Sequence, residues 1–263
     1  MLKHEEYKMK IRVLGCHGSQ FPNHNTTSFL LGQNILVDAG TVTTVLSLKE
    51  QLKIDYIFIT HAHLDHVRDI MFLADNICYQ RGKKPLIIVS TKGIIETIHR
   101  HLFNDVIWPD FSKIPSVKAP LIKFQIIKPG KKQTIGDLQI TTIDLNHVVE
   151  TVGYVMEFKG KAVIFLGDTG PTEEAWHVAQ KTKGLRAIFV ETSLPDFMKK
   201  VANMSGHLTP SSLQAELKKL KGKKPDIYLY HMKPSYHEVI RKEVAAIKDR
   251  KIHIIEDGQI IRI

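Results

Sequence analysis

The chain has 263 residues, 43% hydrophobic and 24% charged, the composition of a soluble globular protein long enough to bury a substantial core. Two cysteines, Cys16 and Cys78, exclude a disulfide framework, and no apolar run approaches the ~20 residues of a membrane helix. A formal charge of +10 favours anionic partners, but the lysines come as scattered pairs rather than as a basic tail or a basic-aromatic nucleic-acid motif.

The opening "MLKHEEYKMK" has no apolar segment of a secretory signal, so a reduced, cytoplasmic protein without a membrane partner is expected. Strands are expected at "KIRVLGC", "SFLLG" and "NILVDAG", separated by the turn residues Gly15, Gly18, Pro22, Asn23 and Gly32. "TVLSLKEQL" has helical spacing, and "YIFIT" is a short continuous apolar run typical of a buried strand. "VRDIMFLADNICYQ" reads as a helix, "PLIIVST" as a strand and "IIETIHRHLF" as a further helix. Residues 104–120 carry three prolines and no clear period, which fits a functional loop or lid.

A β-rich stretch follows, with "LIKFQIIKP", "LQITTIDL", "VGYVMEF" and "AVIFLGD", the last two joined by a hairpin through "FKGKA". Helices are expected at "EEAWHVAQKT", "PSSLQAELKKL" and "YHEVIRKEVAAIKD", and strands at "AIFVETS" and "DIYLYHM". "IHIIEDGQIIRI" reads as a closing hairpin. With no linker or repeat, one domain over 1–263, made of two packed sheets with outer helices, is the economical reading.

"FITHAHLDHVRDI" places His61, His63, Asp65 and His66 in six positions directly after a buried strand. Residues i and i+2 of an extended segment point the same way, so His61 and His63 can share one ion. Asp65 and His66 stand where a helix begins and can be aimed at a second. Imidazole with carboxylate, and no clustered cysteine, suits zinc, with iron and manganese as alternatives. Further ligands are sought at strand ends, where His147, Asp168 and His231 stand. Glu191 ends "AIFVE" and His207 precedes a helix; paired, the carboxylate would orient the imidazole and favour its protonated form. Such a group could protonate an alkoxide leaving group.

The His-x-His-x-Asp-His stretch resembles the signature of the metallo-β-lactamase superfamily, and the resemblance covers nearly the whole chain. It implies an αββα sandwich, an α/β fold of two mixed sheets with outer helices. It also implies two divalent ions, one held by His61, His63 and His147 and one by Asp65, His66 and His231, with Asp168 bridging. Asp65 then belongs to the catalytic set with His207 and Glu191. "NHNTTSFLL", Leu64, "FLGDTGP" and "SGHLTP" together resemble class II 3′,5′-cyclic-nucleotide phosphodiesterases, and the Glu191–His207 pair is similar to that of ribonuclease Z. Both branches commonly carry glycine where this chain has Asp69.

The implied activity is metal-dependent hydrolysis of a small phosphodiester, with 3′,5′-cyclic nucleotides favoured and nucleoside 5′-monophosphates as products. An RNA or DNA phosphodiesterase and a diiron oxygen-binding or redox-sensing protein are the rivals. Asn25, Thr26, Thr27 and Ser28 could give neutral hydrogen bonds to phosphate oxygens, although the stretch is also an ordinary polar turn. Trp108 and Phe111 could stack a base or simply anchor their loop. His17 and His24 read as peripheral. Whether two chains pair as a homodimer is left open.

Overall fold

A computed structural model describes residues 9–82, 84–248 and 250–263; the reading of the first eight residues lies outside these. The first sheet holds β1 (Lys10–Gly15), β2 (Ser28–Leu31), β3 (Ile35–Val37), β4 (Tyr56–Phe58), β5 (Leu86–Ser90), β8 (Ile122–Ile126) and β16 (Ile260–Arg262), in the order β16-β1-β2-β3-β4-β5-β8. The second holds β9 (Gln133–Ile135), β10 (Leu138–Asp144), β11 (Val152–Phe158), β12 (Lys161–Phe165), β13 (Leu185–Glu191), β14 (Asp226–Tyr230) and β15 (Ile252–Ile254), in the order β15-β14-β13-β12-β11-β10-β9. Between β5 and β8 lies a small ribbon of β6 (Pro115–Ser116) and β7 (Ala119–Pro120).

The helices are α1 (Leu48–Gln51), α2 (Leu64–Val67), α3 (Asp69–Ile77), α4 (Lys92–His101), α5 (Glu174–Lys181), α6 (Lys199–Ser205), α7 (Pro210–Leu217) and α8 (His237–Val244). Phe29 and Phe58 of the first sheet and Tyr154, Phe165, Phe189 and Tyr230 of the second belong to one buried cluster. A second cluster joins the other face of the second sheet to Trp176, Leu213 and Ile240 of α5, α7 and α8. Each sheet is therefore covered on both faces, which is why several strands read as continuous apolar runs rather than alternating ones. This is the two-sheet α/β sandwich that the sequence implied.

Three expectations are corrected. The last twelve residues do not form a hairpin: β15 pairs parallel with β14, whereas β16 pairs antiparallel with β1 in the other sheet. The chain crosses between sheets at 255–259. The helix read from Thr44 onward is short, because Ser47 caps it through a capping box with Glu50. Just upstream, the amides of Val42 and Thr43 are committed to the Asp69 carboxylate, at 2.6 and 2.8 Å. Asp69, where glycine is common in the resembling branches, is thus a buried acceptor that closes this loop. Finally, Phe111 is buried against Phe103 and cannot stack a ligand; it anchors the proline-rich stretch. Trp108 is half-buried and edge-on to Phe72.

Candidate active site

β10 runs antiparallel to β11, β11 antiparallel to β12, and β12, β13 and β14 run parallel. Four strands therefore deliver their C-terminal ends to one edge of the second sheet. His147, Asp168, Glu191 and His231 stand on or just past those ends. From the first sheet, β4 leads through Ile59 and Thr60 into His61, and α2 begins after His63, its N-cap. Gly40 lets this loop close: a Cβ there would lie 1.9 Å from the Asp65 carbonyl oxygen.

Two donor groups result. Ligand atoms of His61, His63, His147 and Asp168 all lie within 4.8 Å of one another, as do those of Asp65, His66 and His231. Asp168 touches both sets: its Oδ2 is 3.7 Å from His61 Nε2 and 3.3 Å from His231 Nε2, and its Oδ1 is 3.5 Å from His66 Nε2. All seven residues expected as metal ligands meet here. Asp168, His61, His66 and His231 are essentially inaccessible, while Asp65, His63 and His147 border the opening.

Hydrogen bonds fix which nitrogen each imidazole offers. Asp38 Oδ2 accepts from Thr60 Oγ1 (2.9 Å) and from His66 Nδ1 (2.8 Å). Its other oxygen accepts from the Thr60 amide. With its proton spent on Asp38, Thr60 Oγ1 accepts from His61 Nδ1 at 3.0 Å. In the same way Ser193 Oγ donates to Glu191 Oε2 (2.7 Å) and accepts from His231 Nδ1 (2.8 Å). His147 Nδ1 donates to the carbonyl of Gly206 (2.9 Å). The Nε2 atoms of His61, His66, His147 and His231 are left facing the cluster, and His63 presents Nδ1, 3.5 Å from His147 Nε2.

The site fits divalent ions on its own chemistry. His61 Nε2 and Asp168 Oδ1 are buried with no hydrogen-bond partner, an arrangement that is costly unless something else meets them. Burial, with neighbouring imidazoles, holds His61 well below its ordinary value, and burial likewise lowers His63 and His147, so all three favour the neutral, ligating form. Burial opposes ionisation of Asp65 and Asp168, yet the surrounding histidines hold both below the usual carboxylate range.

Glu191 is fully buried, and its Oε1 lies 2.7 Å from His207 Nδ1. Burial alone would deprotonate His207, but the Glu191 charge and hydrogen bond, with Asp168, push it up to about 9. His207 follows Gly206, the left-handed C-cap of α6 (φ 67°), where a Cβ would come within 2.9 Å of His147 Nδ1. Thr209 then caps α7 with Ser212, pinning the segment.

Two of the substrate contacts expected from the early loop, Thr27 and Ser28, are out of a ligand's reach. Thr27 and Ser28 are fully buried as the chain enters β2, and the Ser28 hydroxyl donates to the Asp38 carbonyl. Asn25 commits its side-chain amide to Leu14 O and its backbone amide to Asp257. Thr26 Oγ1 pairs with Thr41 Oγ1. Thr26, Thr27 and Ser28 build the wall behind the site rather than its surface, whereas Asn25 is half-buried. Sequence reading also missed Asp38 and Ser193. Asp38 had a signal, since it ends "ILVD" as Asp168 ends "IFLGD".

Residues 33–232 match the family model of the β-lactamase superfamily domain. The chain belongs to the metallo-β-lactamase superfamily. Among superfamily members, a 3′,5′-cyclic-nucleotide phosphodiesterase of Aliivibrio fischeri is 26% identical over 92% of this chain and 88% of its own length. The 3′,5′-cyclic-nucleotide phosphodiesterase 1 of Saccharomyces cerevisiae is 30% identical over 63% of this chain and 50% of its own. Ribonuclease Z of Clostridioides difficile is 31% identical over 57% of this chain and 49% of its own, so the match spans about half of these last two relatives. In fold, unliganded yeast PDE1 superposes with a TM-score of 0.81 at 20% identity, covering 96% of this chain and 99% of that one. Human tRNase Z, short form, does so at 0.70 and 19% identity, covering 96% and 98%.

Proposed function

We propose that this superfamily member is a dinuclear metal-dependent phosphodiesterase that opens 3′,5′-cyclic nucleotides to nucleoside 5′-monophosphates. The observation that carries the reading is the Glu191–His207 pair set beside two donor groups that share Asp168. Zinc is the ion the donor set suits, with iron and manganese as alternatives; one ion would be held by His61, His63, His147 and Asp168 and the other by Asp65, His66 and His231 with Asp168. When bound, two such ions acidify water and neutralise charge on phosphoryl oxygens.

The protein's own groups supply the rest. His207 Nδ1 is engaged by Glu191, which leaves Nε2 as the face that carries a proton. A departing ribose O3′ is strongly basic and takes that proton as the P–O bond breaks. The Glu191 carboxylate stabilises the imidazolium and, through Ser193, orients His231 as well. One carboxylate thus couples the proton donor to the ligand set. The A. fischeri and yeast relatives support the cyclic substrate; ribonuclease Z relatives and the net positive charge make linear RNA the rival.

The deciding experiment compares hydrolysis of cyclic AMP, bis(p-nitrophenyl) phosphate and a 3′-extended tRNA by protein loaded with zinc, iron or manganese. Turnover of cyclic AMP to 5′-AMP supports the proposal. Cleavage of the tRNA with cyclic AMP untouched transfers the reading to ribonuclease Z chemistry.

A further inference from the structure

Outside the seven-ligand centre, the described residues hold one more cluster of mixed soft and hard donors. Cys16 and His17 follow β1, and Asp257 sits on the 255–259 crossover from the second sheet to the first. Cys16 Sγ is 3.3 Å and His17 Nε2 is 3.7 Å from the same atom, Asp257 Oδ1. Zinc bonded to sulfur at about 2.3 Å, and to nitrogen and oxygen at about 2.0 Å, sets tetrahedral ligand separations of roughly 3.3–3.5 Å. The two edges that meet at Asp257 Oδ1 lie close to those separations, and all three ligand atoms lie within 4.8 Å of one another.

A second observation points the same way. His17 is 6% exposed, its Nδ1 has no hydrogen-bond partner, and its Nε2 stands beyond hydrogen-bonding distance of Asp257. The unpaired atom is Nδ1; Nε2, the nitrogen that faces Asp257, makes no protein hydrogen bond and is left for a ligand. The carboxylate opposite is held rigidly, since Asp257 accepts the amides of Cys16 at 3.0 Å and Asn25 at 2.7 Å. His24 lies edge-on to His17 at 4.6 Å, the same ring separation as His61 and His63, and its Nδ1 is engaged by Pro22 O. That leaves His24 Nε2 as an imidazole donor close to the cluster.

We propose that Cys16, His17 and Asp257 form a third, structural site for a zinc-class divalent ion, separate from the dinuclear centre. Binding releases the thiol proton to solvent and forms a sulfur–metal bond. The site would tie the N-terminal loop to the C-terminal crossover. It stands behind the catalytic edge, where the Cys16 carbonyl accepts the His231 amide at 2.6 Å.

The test uses cobalt(II) as the probe, because the dinuclear centre contains no thiolate. Full-length protein saturated with cobalt should show a thiolate-to-cobalt charge-transfer band in the near ultraviolet. Elemental analysis of zinc-loaded protein should give three ions per chain. Cys16→Ser and His17→Gln should lower this to two and abolish or weaken the band, while Cys78→Ser and Asp168→Ala should keep it. Two ions and no such band in saturated wild-type protein would overturn the proposal, whether or not the variants fold. So would a band that disappears with Cys78→Ser and persists in Cys16→Ser.

Discussion

Asp38 Oδ2 sits 2.8 Å from His66 Nδ1, and the same carboxylate reaches His61 through the Thr60 hydroxyl. One buried acid therefore sets the tautomer of one histidine in each donor group. Asp38 itself is held in the left-handed region at φ 56°, which aims its side chain back under the signature loop.

Replacing Asp38 by Asn places a donor where two donors already point. Metal affinity should fall by about 10–100-fold, the usual cost of losing a partner that orients a ligand. Chelator competition reads this directly; unchanged affinity would remove Asp38 from the ligand-positioning role.

Asp168 is proposed as a ligand to both ions, so Asp168→Ala should weaken both together. Elemental analysis after dialysis should show less than one tightly held ion in the dinuclear centre. Retention of both ions there would show that the carboxylate does not bridge.

His207 is expected to act only where a leaving group needs a proton. His207→Ala should lose ~10²–10⁴-fold in rate on cyclic AMP while keeping much of its activity on bis(p-nitrophenyl) phosphate, whose nitrophenolate is stable unprotonated. Equal losses on the two substrates, with metals still bound, would assign His207 another role.

The sign of the pH effect follows from Glu191. His207 is raised from 6.5 to about 9, so its ion pair stabilises the fold fully below pH 6.5 and loses that contribution as pH rises through 9. The alkaline limb of cyclic AMP hydrolysis should move to lower pH in Glu191→Gln. A limb that does not move would separate the profile from this pair.

Asp69→Ala leaves the amides of Val42 and Thr43 without their acceptor. Each buried unpaired donor costs about 1–3 kcal/mol, so the urea midpoint should fall clearly. Metal content should hold, since Asp69 is not a ligand; a loss of metal with no loss of stability would contradict the structural role.

Much of this protein is determined by local sequence. The spacing of His61, His63, Asp65 and His66 needs only the geometry of an extended segment entering a helix. The placement of His147, Asp168 and His231 needs only that apolar runs be strands with ends. Partner choice is different. "IHIIEDGQIIRI" carries a good turn, yet β15 and β16 find parallel and antiparallel partners in different sheets because each sheet offers an open edge. Thr27 and Ser28 look like surface polar residues, but β2 is covered on both faces, so their exposure is decided by what packs above and below. The same holds for Asp38, Ser193 and Asp257. A carboxylate or hydroxyl is two- or three-way in its bonding, and only the folded chain decides which distant donors converge on it.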